Sequence, residues 1–303
     1  MDESLDPRCL RFASDTALPG RAIPTLRDNQ VQEFLNHPAV QGGVAPFFVG
    51  LIVAAGLQWV RLSGLAILAA FLTAVYLVSG FTFSPLTAAR KMVLLAGAAS
   101  VVGLLVDFAF KPTSVGNALI VVASAAAGVW VFWSILVQKE LAQALLSGGT
   151  IAVFVAVMIA IGLLFVQLPV RAGSAALTLG LGVGISALLG ASAVFALYGI
   201  GLAAGAGGFL VVQMVTGKRI FAGATLMLPA ALTCSLLAAG TMLLAKLPWY
   251  ALPVLALVPL TTLFSLPAKI PIWLRAVLRS VCAMMVAGFA FYLTWQFAGD
   301  KTA

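Results

Sequence analysis

Long runs of apolar residues, separated by short polar or charged connections, make up most of the chain. A helix needs about 20 mostly apolar residues to cross the ~30 Å hydrocarbon layer of a bilayer. The sequence therefore predicts an all-α, polytopic transmembrane helix bundle of about ten spans. We place them at 44–60, 64–83, 92–110, 118–137, 148–168, 173–195, 198–217, 220–245, 248–267 and 277–297.

The boundary between the sixth and seventh spans depends on a charge-free stretch of 46 residues, 172–217. A single helix of that length would be about 69 Å long, which is enough for two crossings and too much for one. The segment Tyr198-Gly199-Ile200-Gly201 contains glycines, which tolerate a positive φ. We therefore expect the turn there.

The first 43 residues differ in composition from the rest, since they hold ten charges and four prolines. We expect a polar N-terminal tail at 1–43, a transmembrane domain at 44–297 and a short C-terminal tail at 298–303. Asp28 is placed to cap a short amphipathic helix, which either lies on the membrane surface or docks on a partner. Its apolar face would consist of Val31, Phe34 and Leu35.

The composition agrees with membrane insertion, since 62% of the residues are hydrophobic and 9% are charged. Soluble globular chains are about half apolar and a quarter charged, so a water-soluble enzyme is excluded. The net charge is +8, but the charges are too sparse to form a nucleic-acid-binding face. The expected surroundings are a lipid bilayer, a small-molecule solute and other membrane proteins.

Basic residues near the spans divide weakly between the two sides, six on the N-terminal side and eight on the other. Export of a ten-charge tail without a signal is unfavourable, so we expect both termini in the cytoplasm, in a bacterial inner membrane. Lys269, Arg275 and Arg279 surround Trp273 and are expected at the headgroups. Specific binding of a lipid is the alternative for these residues.

The boundaries also fit two five-helix halves with one offset. Arg90-Lys91 opens the third span and Lys218-Arg219 opens the eighth, 128 residues later. The same offset carries the fifth span, 148–168, nearly onto the tenth. Because five is odd, the halves would form a 5+5 inverted repeat, as in many transporters. Chance agreement between helices of similar length is the alternative.

Asp107 is the only acidic residue within a predicted span, and it precedes Lys111 by four residues. Ionisable groups within a bilayer are costly, so Asp107 and Lys111 are our candidates for coupling to a proton or another ion. The alternative is an ion pair that anchors the end of the third helix.

The eighth span carries the best-defined candidate for substrate binding. Pro229 removes a helix hydrogen bond, and Thr225 and Thr233 share its face. Gln213 is the fourth candidate, because an amide cannot satisfy all its hydrogen bonds within its own helix. A proline kink without a ligand, threonines bonded to their own helix, and a glutamine that reaches the headgroups are the alternatives.

Glycines are concentrated in the sixth and seventh spans, where Gly180 and Gly184, and then Gly201 and Gly205, have the small-xxx-small spacing. This spacing is typical of closely packed membrane helices. The alternative is that these helices act as mobile hinges in a transport cycle.

The sequence contains few side chains suited to catalysis or to metal binding. His37 is the sole histidine and the three cysteines lack metal-ligand spacing, so we expect no catalytic site, no metal and no cofactor. The leading hypothesis is a secondary transporter or permease for a small neutral or lipophilic solute. The alternative is a non-catalytic scaffold subunit of a larger membrane complex, and a lipid-processing enzyme is a more remote third.

Overall fold

A computed structural model describes residues 37–81, 84, 87–109, 113–218, 220–244, 247–267 and 270–299, with side chains up to residue 296. The predicted helix near Asp28 and the residue Lys111 lie outside the described residues. The described chain from His37 onward forms one compact unit.

Within the described residues the chain forms ten helices and no strand, which confirms the all-α bundle. Eight are long and apolar enough to cross a membrane, so the protein is a multi-pass integral membrane protein. The helices are α1 Val40–Val60, α2 Leu65–Ser79, α3 Ala88–Phe108, α4 Ser114–Leu136, α5 Leu141–Leu164, α6 Pro169–Leu189, α7 Ala193–Thr216, α8 Gly223–Leu244, α9 Ala251–Thr261 and α10 Ile272–Gly299.

Three helices form the interior of the bundle. In its most apolar stretch α8 has 89% of its residues buried, α6 has 72% and α7 has 67%, whereas the other five long helices have 33% or less. Those outer helices expose large apolar side chains such as Ile52, Val101, Leu145 and Met285. A side chain exposed on such a helix faces lipid, so this ring of helices is the surface that contacts the bilayer.

Local sequence explains where several helices begin and end. The Thr113 side chain accepts a hydrogen bond from the Gly116 N–H at 3.1 Å and so caps α4. Pro169 opens α6, where the missing N–H has no consequence. Gly80 ends α2 and Gly217 ends α7, each with a positive φ that glycine adopts without strain.

The turn between the sixth and seventh helices is not where the sequence predicted it. The chain turns at Gly190, Ala191 and Ser192, and Tyr198-Gly199-Ile200-Gly201 lies within α7. The prediction was wrong because it treated the glycines as turn residues. They serve contacts between helices instead, and Ala191 takes the positive φ of 67° that the turn requires.

Glycine contacts join α6 to α7, which confirms the packing interpretation. A Cβ added to Gly199 would lie 2.7 Å from the Cα of Gly184. A Cβ added to Gly180 would lie 2.8 Å from the nitrogen of Ala203. The two backbones therefore touch along most of this contact, as expected for the small-xxx-small spacing.

The opposite side of α7 packs as closely against α1 and α2. A Cβ on Gly50 of α1 would lie 2.8 Å from the Cα of Gly205. A Cβ on Gly205 would lie 2.6 Å from the Cβ of Ala70, and one on Gly201 would lie 2.5 Å from the Cβ of Ala74. Helix α7 thus has glycines in close backbone contact on two opposite sides.

The predicted ninth span, 248–267, is helical only from Ala251 to Thr261. Pro259 cannot donate to the carbonyl oxygen four residues earlier. The Thr261 hydroxyl then donates to the Val258 carbonyl oxygen at 2.6 Å, and the Thr262 hydroxyl donates to that of Pro259 at 2.7 Å. After Thr261 the chain turns at Thr262 and Leu263 and continues in a non-helical form.

Helix packing agrees with the inverted repeat only in part. In a 5+5 repeat, α2 corresponds to α7 and α3 corresponds to α8. Helix α2 does pack on α7 and α3 packs on α8, so both pairs lie across the boundary between the halves as the repeat requires. The pairs α1–α2 and α6–α7 also correspond, as do α4–α5 and α9–α10. Among the described residues, however, the extensive α1–α7 and α6–α10 contacts have no comparable counterparts, so the repeat stays a prediction.

One end of the bundle is rich in cations, and we call it the basic end. It contains the α1–α2, α5–α6 and α7–α8 connections, the end of α3 and the starts of α6 and α10. The described cations there are Arg61, Arg171, Lys218, Arg275 and Arg279. The described cations of the opposite end are Arg90, Lys91 and Lys139.

The glycine contacts predict a position-specific cost. Gly205→Ala should lower the free energy of unfolding by about 1–3 kcal/mol, since the new methyl group would overlap α2. Gly207→Ala on the same helix is the control: its Cβ would lie 3.7 Å from Leu177, so we expect no loss of stability. Unfolding of both variants in detergent measures the difference, and equal losses would contradict the packing.

Candidate functional site

Asp107 holds the N-terminus of the central helix α8. At the end of α3, its carboxylate accepts hydrogen bonds from the N–H groups of Ala224 and Thr225, both at 2.8 Å. It also accepts one from the Thr225 hydroxyl at 2.6 Å. The first N–H groups of a helix lack intrahelical acceptors and carry partial positive charge, so the carboxylate satisfies both needs.

Two glycines make room for this interaction. Gly223 has a φ of 66°, and a Cβ there would overlap the Asp107 carboxylate. On α3, a Cβ at Gly103 would lie 2.7 Å from the Cα of Thr225. The close approach of α3 to α8 and the position of the carboxylate therefore depend on the absence of both side chains.

The predicted face of Thr225, Pro229 and Thr233 lies in the packed interior. Thr225 and Thr233 are each 1% exposed, and Pro229 is buried. Because Pro229 has no N–H, it cannot donate to the Thr225 carbonyl oxygen. The structure thus brings Asp107 and Thr225 together, and it places Pro229 and Thr233 deeper in the same helix. Binding of a substrate by these residues stays a prediction.

Gln213 does not reach the headgroups, because it is 0% exposed. Its Nε2 donates to the carbonyl oxygen of Ile220 at 3.3 Å, across the connection that leads into α8. Among the described residues its buried Oε1 has no hydrogen-bond partner. The amide therefore restrains the α7–α8 connection and presents one unsatisfied acceptor within the bundle.

The same connection is held from the α1–α2 side. The Ser63 hydroxyl donates to the Phe221 carbonyl oxygen at 2.6 Å. A Cβ on Gly64 would lie 2.7 Å from the carbonyl oxygen of Ala222, so these two connections touch through their backbones. Ser63, Gln213 and Asp107 together fix the entry of the chain into α8 from three different elements.

A polar chamber of about 800 Å³ opens beside this connection at the basic end. The exposed cations Arg61 and Lys218 lie at its edge with Gln58, Gln167 and Thr216. Its inner wall consists of Ile220, Phe221 and Ala222. These residues were not predicted as a site, because a cation at the end of a span indicates membrane sidedness in the sequence and nothing more specific.

Arg61 occupies a position that favours glycine. It follows α1 with a φ of 61°, and the Leu62 N–H bonds to the Leu57 carbonyl oxygen at 3.2 Å. This bond and the positive φ define a Schellman motif, in which glycine is the usual residue. Ala191 has the same role after α6. The left-handed conformation costs a residue with a Cβ about 1–2 kcal/mol.

Two apolar clefts face the lipid. One, of about 320 Å³, lies between α3 and α4, and Leu228 and Leu232 of α8 line its inner side. The other, of about 630 Å³, lies between α5 and α9 and is lined by residues such as Phe154 and Trp249. Their linings suit acyl chains or apolar side chains, whereas the chamber at the basic end suits polar groups.

Within the described residues no three histidine, cysteine or acidic side chains come together as a possible metal site. The described carboxylates are Asp107, which is bonded to α8, and Glu140 at the opposite end. Among the described residues, the polar side chains that line the chamber are Gln58, Arg61, Gln167, Thr216 and Lys218.

Asp107→Asn should lower the free energy of unfolding by about 1–3 kcal/mol, since an amide NH₂ would face hydrogen-bond donors of α8. Thr225→Val removes one of the same bonds, so the two losses should be less than additive in the double variant. Thr150→Val is the control, because its hydroxyl bonds only to its own helix at the Leu146 carbonyl oxygen, 2.8 Å away. Additive losses in an unfolding assay would contradict a shared interaction.

Arg61→Gly and Ala191→Gly should each raise the free energy of unfolding by about 1 kcal/mol, because both replace a strained residue with glycine. Only Arg61→Gly removes a cation from the chamber. Thermal unfolding in detergent measures both effects. A destabilised Arg61→Gly variant would mean that the arginine side chain itself supports the fold.

Comparison with known proteins assigns no relative: the chain matches no family model, and no curated protein matches it in sequence. The candidate site therefore rests on its own geometry, which is a polar, cationic chamber beside a firmly anchored central helix in a multi-pass integral membrane protein.

Proposed function

We propose that the protein is a permease for a small solute, which enters the bundle through the chamber at the basic end. The observation that carries the proposal is the chamber itself, about 800 Å³ in volume and lined by ends of α1, α5, α7 and the start of the α8 region. This volume lies within the range of small-molecule binding sites. The proposal involves no chemical conversion of the solute.

At the opposite end of the bundle the contact between α2 and α7 is closed by a hydrogen bond and by ring packing, as alternating access requires of one state. The Ser79 and Tyr198 hydroxyls are 2.6 Å apart and join α2 to α7. The Tyr198 ring packs edge-on against Phe71, with ring centroids 5.7 Å apart. The cavity beside them measures about 180 Å³, less than a quarter of the chamber at the basic end.

The glycine surfaces of α7 support a moving part. Side chains that interlock resist sliding, whereas backbones in contact through glycine and alanine offer little obstruction. Helix α7 has such surfaces on both sides, at Gly199 against Gly184 and at Gly205 against Ala70. We infer that α7 shifts against α1, α2 and α6 while Asp107 keeps the start of α8 in place.

The edge of the chamber suits polar groups, so of the small neutral or lipophilic solutes that the sequence suggested, it favours a neutral polar one. Its edge carries Arg61 and Lys218, and three of its other side chains are amides or a hydroxyl. Coupling to an ion through Asp107 is a weaker part of the proposal, since its carboxylate already accepts three hydrogen bonds. A cytoplasmic location of the termini and a bacterial inner membrane remain parts of the proposal as well.

A scaffold subunit is the second candidate, and the apolar clefts favour it. The cleft between α3 and α4 exposes Leu119 and Val102 at its sides, and helix α4 has only 22% of its most apolar stretch buried. A partner helix could fill that space. In this function the chamber and the closed end would not influence each other, and that difference can be tested.

The test uses cysteine labelling in vesicles of phosphatidylethanolamine and phosphatidylglycerol, with the native cysteines replaced. Phe221→Cys reports access to the chamber and Ala89→Cys reports access to the cavity at the closed end. Tyr198→Phe is then added to break the bond to Ser79. A bond worth about 1 kcal/mol shifts an equilibrium about fivefold, so labelling at Phe221→Cys should fall and labelling at Ala89→Cys should rise.

Tyr292→Phe is the matched control, because its hydroxyl bonds to Gln296 on the outer helix α10 and should affect neither site. Labelling of the same two cysteine variants in intact cells with a membrane-impermeant maleimide reports which end faces the cytoplasm. If Tyr198→Phe changes the labelling rate at Ala89→Cys but not at Phe221→Cys, the two ends are not linked, and the scaffold becomes the better proposal.

A further inference from the structure

A second cavity at the basic end, about 230 Å³ in volume, lies where α6 and α10 begin. Three arginines line it: Arg171 in the first turn of α6, and Arg275 and Arg279 in the first two turns of α10. The remaining lining includes Gln167 and Leu266. Three arginines from two helices therefore line one small space, which we call the arginine cavity.

Arg279 is only 7% exposed, which distinguishes this cluster from ordinary headgroup contacts. Withdrawing a guanidinium from water is costly, and long basic side chains at a membrane surface usually extend to the headgroups instead. A buried arginine that lines a cavity is thus a built feature. The Nε of Arg275 donates to the Ile270 carbonyl oxygen at 2.6 Å, which fixes its orientation at the cavity.

The start of α6 adds a second, independent attraction for an anion. The first intrahelical hydrogen bond of α6 runs from the Ala172 N–H to the Leu168 carbonyl oxygen. The N–H groups of Val170 and Arg171 come before it, so they have no acceptor within the helix. Leu168 precedes the helix and provides no side-chain cap. Val170 and Arg171 both line the cavity, where the positive end of the helix dipole reinforces the arginines.

We propose that the arginine cavity binds a phosphate group, carried either by a lipid headgroup or by a soluble phosphate ester. A guanidinium group can donate two parallel hydrogen bonds to the oxygens of one phosphate, and the N–H groups at a helix N-terminus also bind phosphate. A volume of about 230 Å³ accommodates a phosphate with a small organic substituent. The position at the membrane end, with Leu266 in the wall and the half-exposed Trp273 on the same turn of α10, suits a phospholipid headgroup.

This site is distinct from the proposed solute chamber, although Gln167 and Pro169 line both. It goes beyond the headgroup contact expected for Lys269, Arg275 and Arg279, because it includes Arg171 from another helix and the start of α6. The inference does not depend on transport, so the two proposals can fail separately.

The experiment follows thermal unfolding of the full-length protein in detergent with added ligands. Phosphatidylglycerol is compared with diacylglycerol, which lacks the phosphate, and inorganic phosphate and glycerol 3-phosphate are tested separately. We expect phosphatidylglycerol to raise the unfolding temperature and diacylglycerol to leave it unchanged. Arg171→Gln should weaken the apparent affinity at least tenfold, which corresponds to about 1.4 kcal/mol for a lost charge-assisted bond.

Arg171→Lys keeps the charge but loses the paired hydrogen bonds, so it should also weaken binding. Arg61→Gln is the matched control, because it removes one charge from the same end but from the other chamber. Because Arg171 is only half-buried, both of its variants should fold, and their unfolding temperatures without ligand check this. A shift caused by inorganic phosphate or glycerol 3-phosphate, and lost in Arg171→Gln, would support the site with a soluble ligand.

Two results would overturn the inference. Equal weakening by Arg61→Gln and Arg171→Gln, or full binding by Arg171→Lys, would mean that the anion responds only to the net charge of this end. The absence of any shift with all three phosphate compounds would mean that the cavity does not bind phosphate.

Discussion

The central helix of this protein begins inside the bundle, and the fold depends on how its first N–H groups find acceptors. Ala224 and Thr225, in the first turn of α8, are buried at the basic end, so other parts of the protein supply acceptors for their N–H groups. The Asp107 carboxylate does this for α8 from the end of α3, at 2.8 Å from two backbone nitrogens. Because α8 is the most buried helix, the arrangement of the outer helices is built on this anchor.

The apolar pattern predicted about ten spans, and the described chain has ten helices, of which eight are long and apolar enough to cross a membrane. It could not locate the turn after α6, because a glycine has the same appearance in a sequence whether it bends a chain or admits a neighbouring helix. Gly199 touches Gly184, and the turn uses Ala191, a residue without any turn signature. The early end of α9 was missed because the chain stays apolar beyond it, at Leu263, Phe264 and Leu266.

The candidate site was predicted less well than the fold. Asp107 and Thr225 were chosen separately and prove to be hydrogen-bonded partners, 118 positions apart in the chain. Their joint use as an anchor depends on which helices are neighbours, and a single sequence does not contain that information. Arg61 and Arg171 were treated as markers of orientation, because a cation at a span end has many uses and only the enclosing cavity reveals one.

The interior of the bundle contains two kinds of contact, hydrogen bonds at the start of α8 and close glycine contacts along α7. Their positions determine which helix could move relative to its neighbours. Ser63 and Gln213 donate hydrogen bonds to the connection that precedes α8. Asp107 accepts hydrogen bonds from the first turn of α8 itself. Helix α7, in contrast, has close glycine contacts on two of its sides, with the Ser79–Tyr198 bond as a polar link near its start. A relative motion in this bundle would therefore proceed along α7 and pivot about α8. The polar chamber lies where the end of α7 meets the start of α8, so any such motion would change its shape first.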